Sequence, residues 1–589
     1  MNAWPSGGSY PRGRTVCVPK PTAQRAVPPG ISQLVELCHQ GNAHAAGRGA
    51  GDLVRLSGQP PHTVGGRRLS IHWPIIRNLV TRPRHPFVAD DRRTYKGIEI
   101  LVAALHVAGE IERKSESKTV GVMLPSSGAF PIAALAGWML GKTVVPLNFL
   151  LKQSELQFVI DDCGCDTIVS AGPMLDYLGY EPKVKTIIRM EDLNFKSLPD
   201  LRWPARSSDD DLAVLLYTSG TSGLPKGVML THGNLKANVR QCTQHINIGR
   251  DEVFFGVLPQ FHSFGLTVLT LLPLITGSRV VYAAKFVPQQ IIAGFKKHKP
   301  TAFIAIPSMY NALLSAKNTQ PEDFESLRYI VSGGEPLPDA VFEKFRDRFG
   351  VTINEGYGLT ETAPVTNWCR PNETRQHSVG PALPEIDQRI IDPETGRPQP
   401  VGGEGEVQMR GPNIMQGYYN RPDETKAVFT EDGYFRSGDI GKLDSEGFLF
   451  ITGRLKEMLI VGGENVFPRE IEEALVRHEA VKAAGVVGKT DPVRGELPVA
   501  FIELEDDAPA DFDPDSLKAF CRDLIAGYKV PREIHVLDAL PRNPTGKILR
   551  RELKAIVDGK KDAAGSAGDR HPKSVGSGDA DERYDVDKA

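Results

Sequence analysis

Tyr217-Thr-Ser-Gly-Thr-Ser-Gly-Leu-Pro-Lys-Gly227 decides how this chain is read. The apolar run Leu212 to Leu216 precedes it and reads as a buried strand, so the segment leaves a strand end as a loop. Five hydroxyl residues and three glycines crowd into it. Glycine lets a backbone approach a ligand closely. The N–H and O–H groups of Thr218, Ser219, Gly220, Thr221, Ser222 and Gly223 can wrap a phosphate chain, with Lys226 as counter-charge. A Walker loop needs Gly at 225 and Ser or Thr at 227; Pro225 and Gly227 exclude that kinase and ATPase reading.

Outward from the loop, strand-like apolar runs alternate with helical patterns. Thr119 to Leu124 is followed by Phe130 to Leu140 and Thr143 to Leu147; Val253 to Leu258, Thr301 to Ile306 and Tyr329 to Val331 come later. Such alternation predicts an α/β fold with mostly parallel sheets. At 589 residues the chain exceeds one hydrophobic core, so at least two domains are expected. Lys+Arg at 70 against Asp+Glu at 72 leaves no basic field for nucleic acid. Seven cysteines are scattered, with only Cys163 and Cys165 close together, and read as reduced thiols of a cytoplasmic protein. Val253 to Ser278 carries no charge but is broken by Pro259, Gln260, His262 and Pro273, which suits a pocket wall and not a membrane span. Peripheral membrane contact stays open. Residues 1–68 have only Glu36 and Asp52 as acids and are rich in Pro, Gly and Arg; with a weak helical pattern at Ile31 to Cys38, they read as a disordered extension. Residues 559–589 read as a disordered tail.

Thr218 to Gly227 resembles the signature of the adenylate-forming superfamily, which holds acyl-CoA synthetases, nonribosomal adenylation domains and firefly luciferase. Further motifs extend the resemblance over about residues 70 to 557. Gly333-Gly334-Glu335-Pro336 and Glu355-Gly356-Tyr357-Gly358-Leu-Thr360-Glu361 are similar to its adenine and magnesium segments. The resemblance implies Tyr357 as a flat face for adenine and a magnesium ion held by Glu361 with Thr218. A carboxylate is a hard oxygen ligand suited to that ion. Tyr434-Phe-Arg-Ser-Gly-Asp439 and Gly453-Arg454-Leu-Lys456 imply Asp439 and Arg454 at the ribose and Lys456 as an interdomain hinge. Pro541-Arg-Asn-Pro-Thr-Gly-Lys547 resembles the catalytic lysine loop, where a cation meets charge building on the α-phosphate. Leu258-Pro-Gln-Phe-His262-Ser-Phe-Gly265 places His262 beside the substrate carboxylate.

The implied architecture is a large multi-subdomain AMP-binding domain at 69–455 and a small mobile α+β domain at 456–558 that carries Lys547. The implied reaction turns a carboxylic acid and ATP into acyl-AMP and pyrophosphate, then passes the acyl group to CoA. The small domain would turn about Lys456 and present Met458 to Asn465, where Gly462 and Gly463 leave room for a slim pantetheine arm. Phe-His262-Ser-Phe-Gly and Gly411-Pro-Asn-Ile-Met415 look most like fatty acyl-CoA and acyl-acyl-carrier-protein synthetases, so a medium- or long-chain fatty acid is the expected substrate. An acyl-carrier protein as acceptor and an aryl or other carboxylate as substrate are the alternatives. No carrier module with a Gly-Gly-Asp/His-Ser type site follows residue 558.

Overall fold

The strand expected at Leu212 to Leu216 runs on to Ser219 in the computed structural model, and pairs antiparallel with Pro225–Thr231. The structure describes residues 70–219, 224–317, 319–505, 507–509, 511–542 and 546–559. The expectations for residues 1–68 and 560–589 lie outside these.

Two mixed sheets and one antiparallel sheet build the large part. The first has eight strands, in the order Val365–Trp368, Asn354–Gly358, Tyr329–Gly333, Ala302–Ala305, Val253–Gly256, Arg279–Tyr282, Pro86–Ala89 and Thr94–Lys96. Its inner pairs are parallel and only the outermost pair at each edge is antiparallel. The second has seven strands and carries the phosphate-loop hairpin beside four parallel strands that begin with Thr143–Pro146. Parallel strands are covered on both faces, which is why they read as unbroken apolar runs. Ala129–Met139 is apolar throughout and nearly every residue is buried, so it has no solvent face. Phe295, Phe303, Tyr310, Phe324 and Phe345 fill the first sheet's underside through edge-to-face contacts, with centroids 5.0 Å apart for Phe295 and Phe303.

The third sheet, of five strands, is wholly antiparallel and departs from the expectation of mostly parallel sheets. Its strands Phe435–Leu443 and Phe448–Arg454 set Asp439 opposite Arg454. The chain then passes through a short turn, Leu455–Glu457, into a smaller unit. That unit pairs Val481–Asp491 with Gly495–Leu504 and buries its own core of Val466, Ile471, Leu475, Val486, Ile502 and Leu517. A separate core is what allows a unit to move as a body.

The Val253 to Ser278 region follows neither a membrane span nor one regular helix. After Val253–Gly256 come Ser263–Leu266, a π-helical Thr267–Leu271 and Leu272–Thr276. The wide turn is fixed by Thr270, whose hydroxyl donates to the Gly265 carbonyl at 3.1 Å and accepts from Gln260 Nε2 at 3.1 Å. Among the described residues no helix is long and apolar enough to cross a membrane.

Candidate active site

Four clusters of the expected residues meet along the edges of these sheets. The first is at the ribose position. Asp439 is 2 % exposed, and its Oδ1 takes Arg454 Nε at 2.7 Å while its Oδ2 accepts the Tyr357 hydroxyl at 2.5 Å. Each carboxylate oxygen has two lone pairs, so both can still accept from a diol. Burial and the Asp439 charge push the Tyr357 hydroxyl far above its ordinary value, so it stays a donor. Gly358 brings the chain so near its return at Pro364 that an added Cβ would lie 2.0 Å from the Pro364 carbonyl oxygen.

The second cluster surrounds Lys547. Its ammonium lies in the field of Arg454, Glu457, Asp439 and Glu335, and burial lowers its pKa. Glu335 is pushed up by burial, with Lys547 and Arg542 pulling the other way. His262 completes the group. Loss of hydration to the surrounding protein holds its ring at about 4, and the Lys547 charge adds in the same direction. It is neutral near pH 7. The Lys547 loop rests on the large part, since a Cβ on Gly546 would meet Ile306 Cδ1 at 3.2 Å and Ser308 Oγ at 3.6 Å.

The third cluster holds Glu361. It stands on the turn Thr360–Thr362, and the Thr360 and Ser263 hydroxyls are 3.3 Å apart. Buried amides fix this turn from behind: Asn413 Nδ2 donates to the Thr362 carbonyl at 2.7 Å and Asn238 Nδ2 to the Val365 carbonyl at 2.7 Å. Asn238 belongs to the helix His232–Ile246, which starts where the Lys226 strand ends. Thr231 and Asn234 cap that helix reciprocally, at 3.1 and 3.0 Å. One Glu361 oxygen accepts the Tyr418 hydroxyl at 2.8 Å. Among the described residues no group of three or more His, Cys, Asp or Glu could cage a metal. One hard carboxylate backed by a fixed turn still fits magnesium, which takes few protein ligands and completes its shell with water and phosphate oxygens.

The fourth cluster surrounds Lys226, which forms an ion pair with Glu424 and lies 5.3 Å above the Tyr418 ring. Tyr217 donates to Asp162 at 2.6 Å, anchoring the strand before the loop. Gly220, Thr221, Ser222 and Gly223 lie outside the described residues. Glu355 accepts from Leu337 N–H at 3.2 Å, and burial lifts it to about 7 against the pull of Arg469. Lys456 sits exposed on the interdomain turn, beside Glu457, which pairs with Arg550 at 2.9 Å. Sequence reasoning missed Tyr418, Glu424, Ser263 and the amides Asn238 and Asn413. Of these, Ser263 and Asn413 lay in segments that a motif had marked, without being singled out there.

Comparison with known proteins agrees with this geometry. The family "AMP-binding enzyme" matches residues 77–419 and "AMP-binding enzyme C-terminal domain" matches residues 470–547. A long-chain-fatty-acid–CoA ligase of Bacillus subtilis is 34% identical over 507 residues, covering 77% of this chain and 89% of that protein. A feruloyl-CoA synthase of Amycolatopsis is 32% identical, covering 82% of this chain and 98% of that protein. The o-succinylbenzoate CoA synthetase MenE of Bacillus subtilis, solved with ATP and a magnesium ion, superposes with a TM-score of 0.73 at 29% identity, covering 82% of this chain and 99% of that one. With both family domains in order along one chain, this protein belongs to the AMP-binding enzyme family and is an AMP-forming acid–thiol ligase.

Proposed function

We propose that the enzyme activates a medium- or long-chain fatty acid and transfers it to CoA. The observation that carries this is the wall beside His262. Ser263–Leu266, Thr267–Leu271 and Leu272–Thr276 hold no charged side chain, and Leu266, Val268, Leu269, Leu271 and Leu272 are buried in it. Ala302–Ala305 and Tyr329–Gly333 bring no cation either. An acid with a second anionic group would need one, because an unpaired charge is costly away from water. An alkyl chain needs only apolar area.

In this reading the loop Thr218 to Gly223 and Lys226 receive the triphosphate, Gly334, Glu335, Pro336, Gly356 and Tyr357 receive adenine, and Asp439 with Arg454 the ribose. Magnesium, held by Glu361 and Thr218, would neutralise phosphate charge. His262, neutral, lies by the substrate carboxylate without competing for a proton. A carboxylate oxygen attacks the α-phosphorus, the bond to the bridging oxygen breaks, and pyrophosphate leaves; Lys547 stabilises the charge on those oxygens. The CoA sulfur then attacks the acyl carbon and AMP departs. Five free, buried cysteines among the described residues suit a reducing cytoplasm.

Pyrophosphate release with acetate, benzoate, ferulate, octanoate and palmitate tests the substrate. The highest kcat/KM is expected with octanoate or palmitate. A preference for acetate or an aromatic acid would overturn the fatty-acid assignment and leave the adenylation chemistry standing.

A further inference from the structure

The two-residue strand Gly417–Tyr418 lies on the outer edge of the phosphate-loop hairpin, paired with Met229 and Val228. Its backbone is stitched on both sides. Gln416 N–H donates to the Met229 carbonyl at 3.0 Å and Tyr419 N–H to the Gly227 carbonyl at 2.7 Å, while Met415 N–H reaches the Glu361 carbonyl at 2.8 Å. Gly417 has φ +144°, and a Cβ there would lie 2.5 Å from Thr425 Cγ2. That close approach seats the helix Pro422–Ala427, with Glu424, against the same edge; Tyr418 N–H donates to Thr425 Oγ1 at 2.8 Å.

Tyr418 therefore has little freedom, and its two ends meet opposite charges. The hydroxyl donates to Glu361 at 2.8 Å, and the ring carries Lys226 at 5.3 Å. Tyr310, which fills a core, sends its hydroxyl to the Val331 carbonyl at 2.9 Å, whereas Tyr418 joins a carboxylate and an ammonium that the site itself uses. We propose that Tyr418 is a positioning residue that sets the Glu361 carboxylate and the Lys226 ammonium at a fixed separation, so that a triphosphate and its magnesium ion are received together. Glu424, 39% exposed at its side chain, holds Lys226 meanwhile and can turn to water when phosphate oxygens take its place. The inference rests on Glu361 and Lys226 being the metal and phosphate groups, as argued above.

Calorimetric ATP binding to the full chain, with and without magnesium, tests it apart from turnover. Tyr418→Phe keeps the ring and loses the donor. Metal-free ATP affinity should stay within about two-fold of wild type while the gain on adding magnesium falls roughly ten-fold, the scale of a hydrogen bond to a charged group. Glu424→Gln, on an exposed helix, should do the opposite: metal-free affinity rises about three-fold and the magnesium gain is unchanged. Equal losses with and without magnesium in Tyr418→Phe would mark a merely structural tyrosine and overturn the proposal, as would an undiminished magnesium gain. No acid substrate is present, so a failed fatty-acid assignment leaves these outcomes intact; a wild-type chain that binds no ATP overturns both readings.

Discussion

Glu355 and the histidines His72 and His232 bring opposite pH slopes into one molecule. Burial lifts Glu355 from an ordinary 4.5 to about 7, so the native state holds that proton more tightly than the unfolded chain. Its contribution to stability therefore falls as pH rises from 4.5 through 7. His72 and His232, each about 1% exposed or less, are lowered by burial from 6.5 to about 4. Their contribution is complete above 6.5 and is lost as pH falls toward 4. Glu355→Gln cannot ionise and keeps an acceptor for Leu337 N–H. Thermal melts should show it more stable than wild type at pH 8, by on the order of 1–3 kcal/mol, and level with it at pH 5. An equal change at both would mean the carboxylate is not paying to ionise. At Lys547, single donors to a developing oxyanion suggest that Lys547→Ala slows adenylation roughly 100-fold or more. Supplied acyl-AMP and thiol should still give thioester at near the wild-type rate; loss of both half-reactions in rapid-quench assays would refute a role confined to adenylation. Lys547, Asp439, Arg454 and Glu361 could be named as candidates because each sits in a dense run of motif residues. Tyr418 and Glu424 were not, because what they touch is settled by strand pairing with Met229 and Val228, about 190 positions earlier.

Elements whose side chains follow one simple rule were read correctly, and elements that break it were not. Thr119–Val122, Thr143–Pro146 and Ala302–Ala305 are buried at every position, so an apolar run sufficed. In Gly405–Arg410, Glu406 and Gln408 are also buried, 2% and 4% exposed; Gln408 donates to Glu406 at 3.0 Å and Arg436 pairs with Glu406 at 3.0 Å, which hides a strand from any search for apolar letters. The π-helical Thr267–Leu271 has no periodicity that five residues could declare. It hangs from a crowded turn: a Cβ on Gly265 would lie 2.0 Å from the Pro259 carbonyl oxygen, a backbone atom that cannot step aside. Gly265→Ala should cost roughly 1–3 kcal/mol of stability and displace His262 and Ser263. In steady-state kinetics KM for the acid is expected to rise several-fold more than KM for ATP; equal rises would show that this turn does not shape the acid site.

Across the whole molecule the small unit meets the large one through both buried and exposed contacts: Arg469 donates to the Ile451 carbonyl, Gly453 lies against Phe467, and an ion pair joins the surfaces. Arg477 reaches Asp339 Oδ2 at 2.9 Å, where His377 and Gln376 hold the other oxygen at 3.3 and 3.0 Å. An ion pair of this kind contributes about 1 kcal/mol at most, so it is a small barrier to the swivel proposed for the small unit. The turn Leu455–Glu457 is the covalent link between the two units. Proline fixes φ and hinders backbone rotation. Lys456→Pro should accordingly leave pyrophosphate release near wild type and slow thioester formation, the reverse of Lys547→Ala. Parallel loss of both half-reactions would exclude a swivel at this turn. The hairpin of Leu459–Val461 and Glu464–Val466 turns through Gly462 and Gly463, at φ +64° and +91°, and a side chain at either would meet nothing within 4 Å. If the unit swings about Leu455–Glu457 as proposed, a small dye fixed beside that turn would look out on water in the arrangement seen here and on protein after the swing. The colour of its light would then keep time with the enzyme, one molecule and one cycle after another.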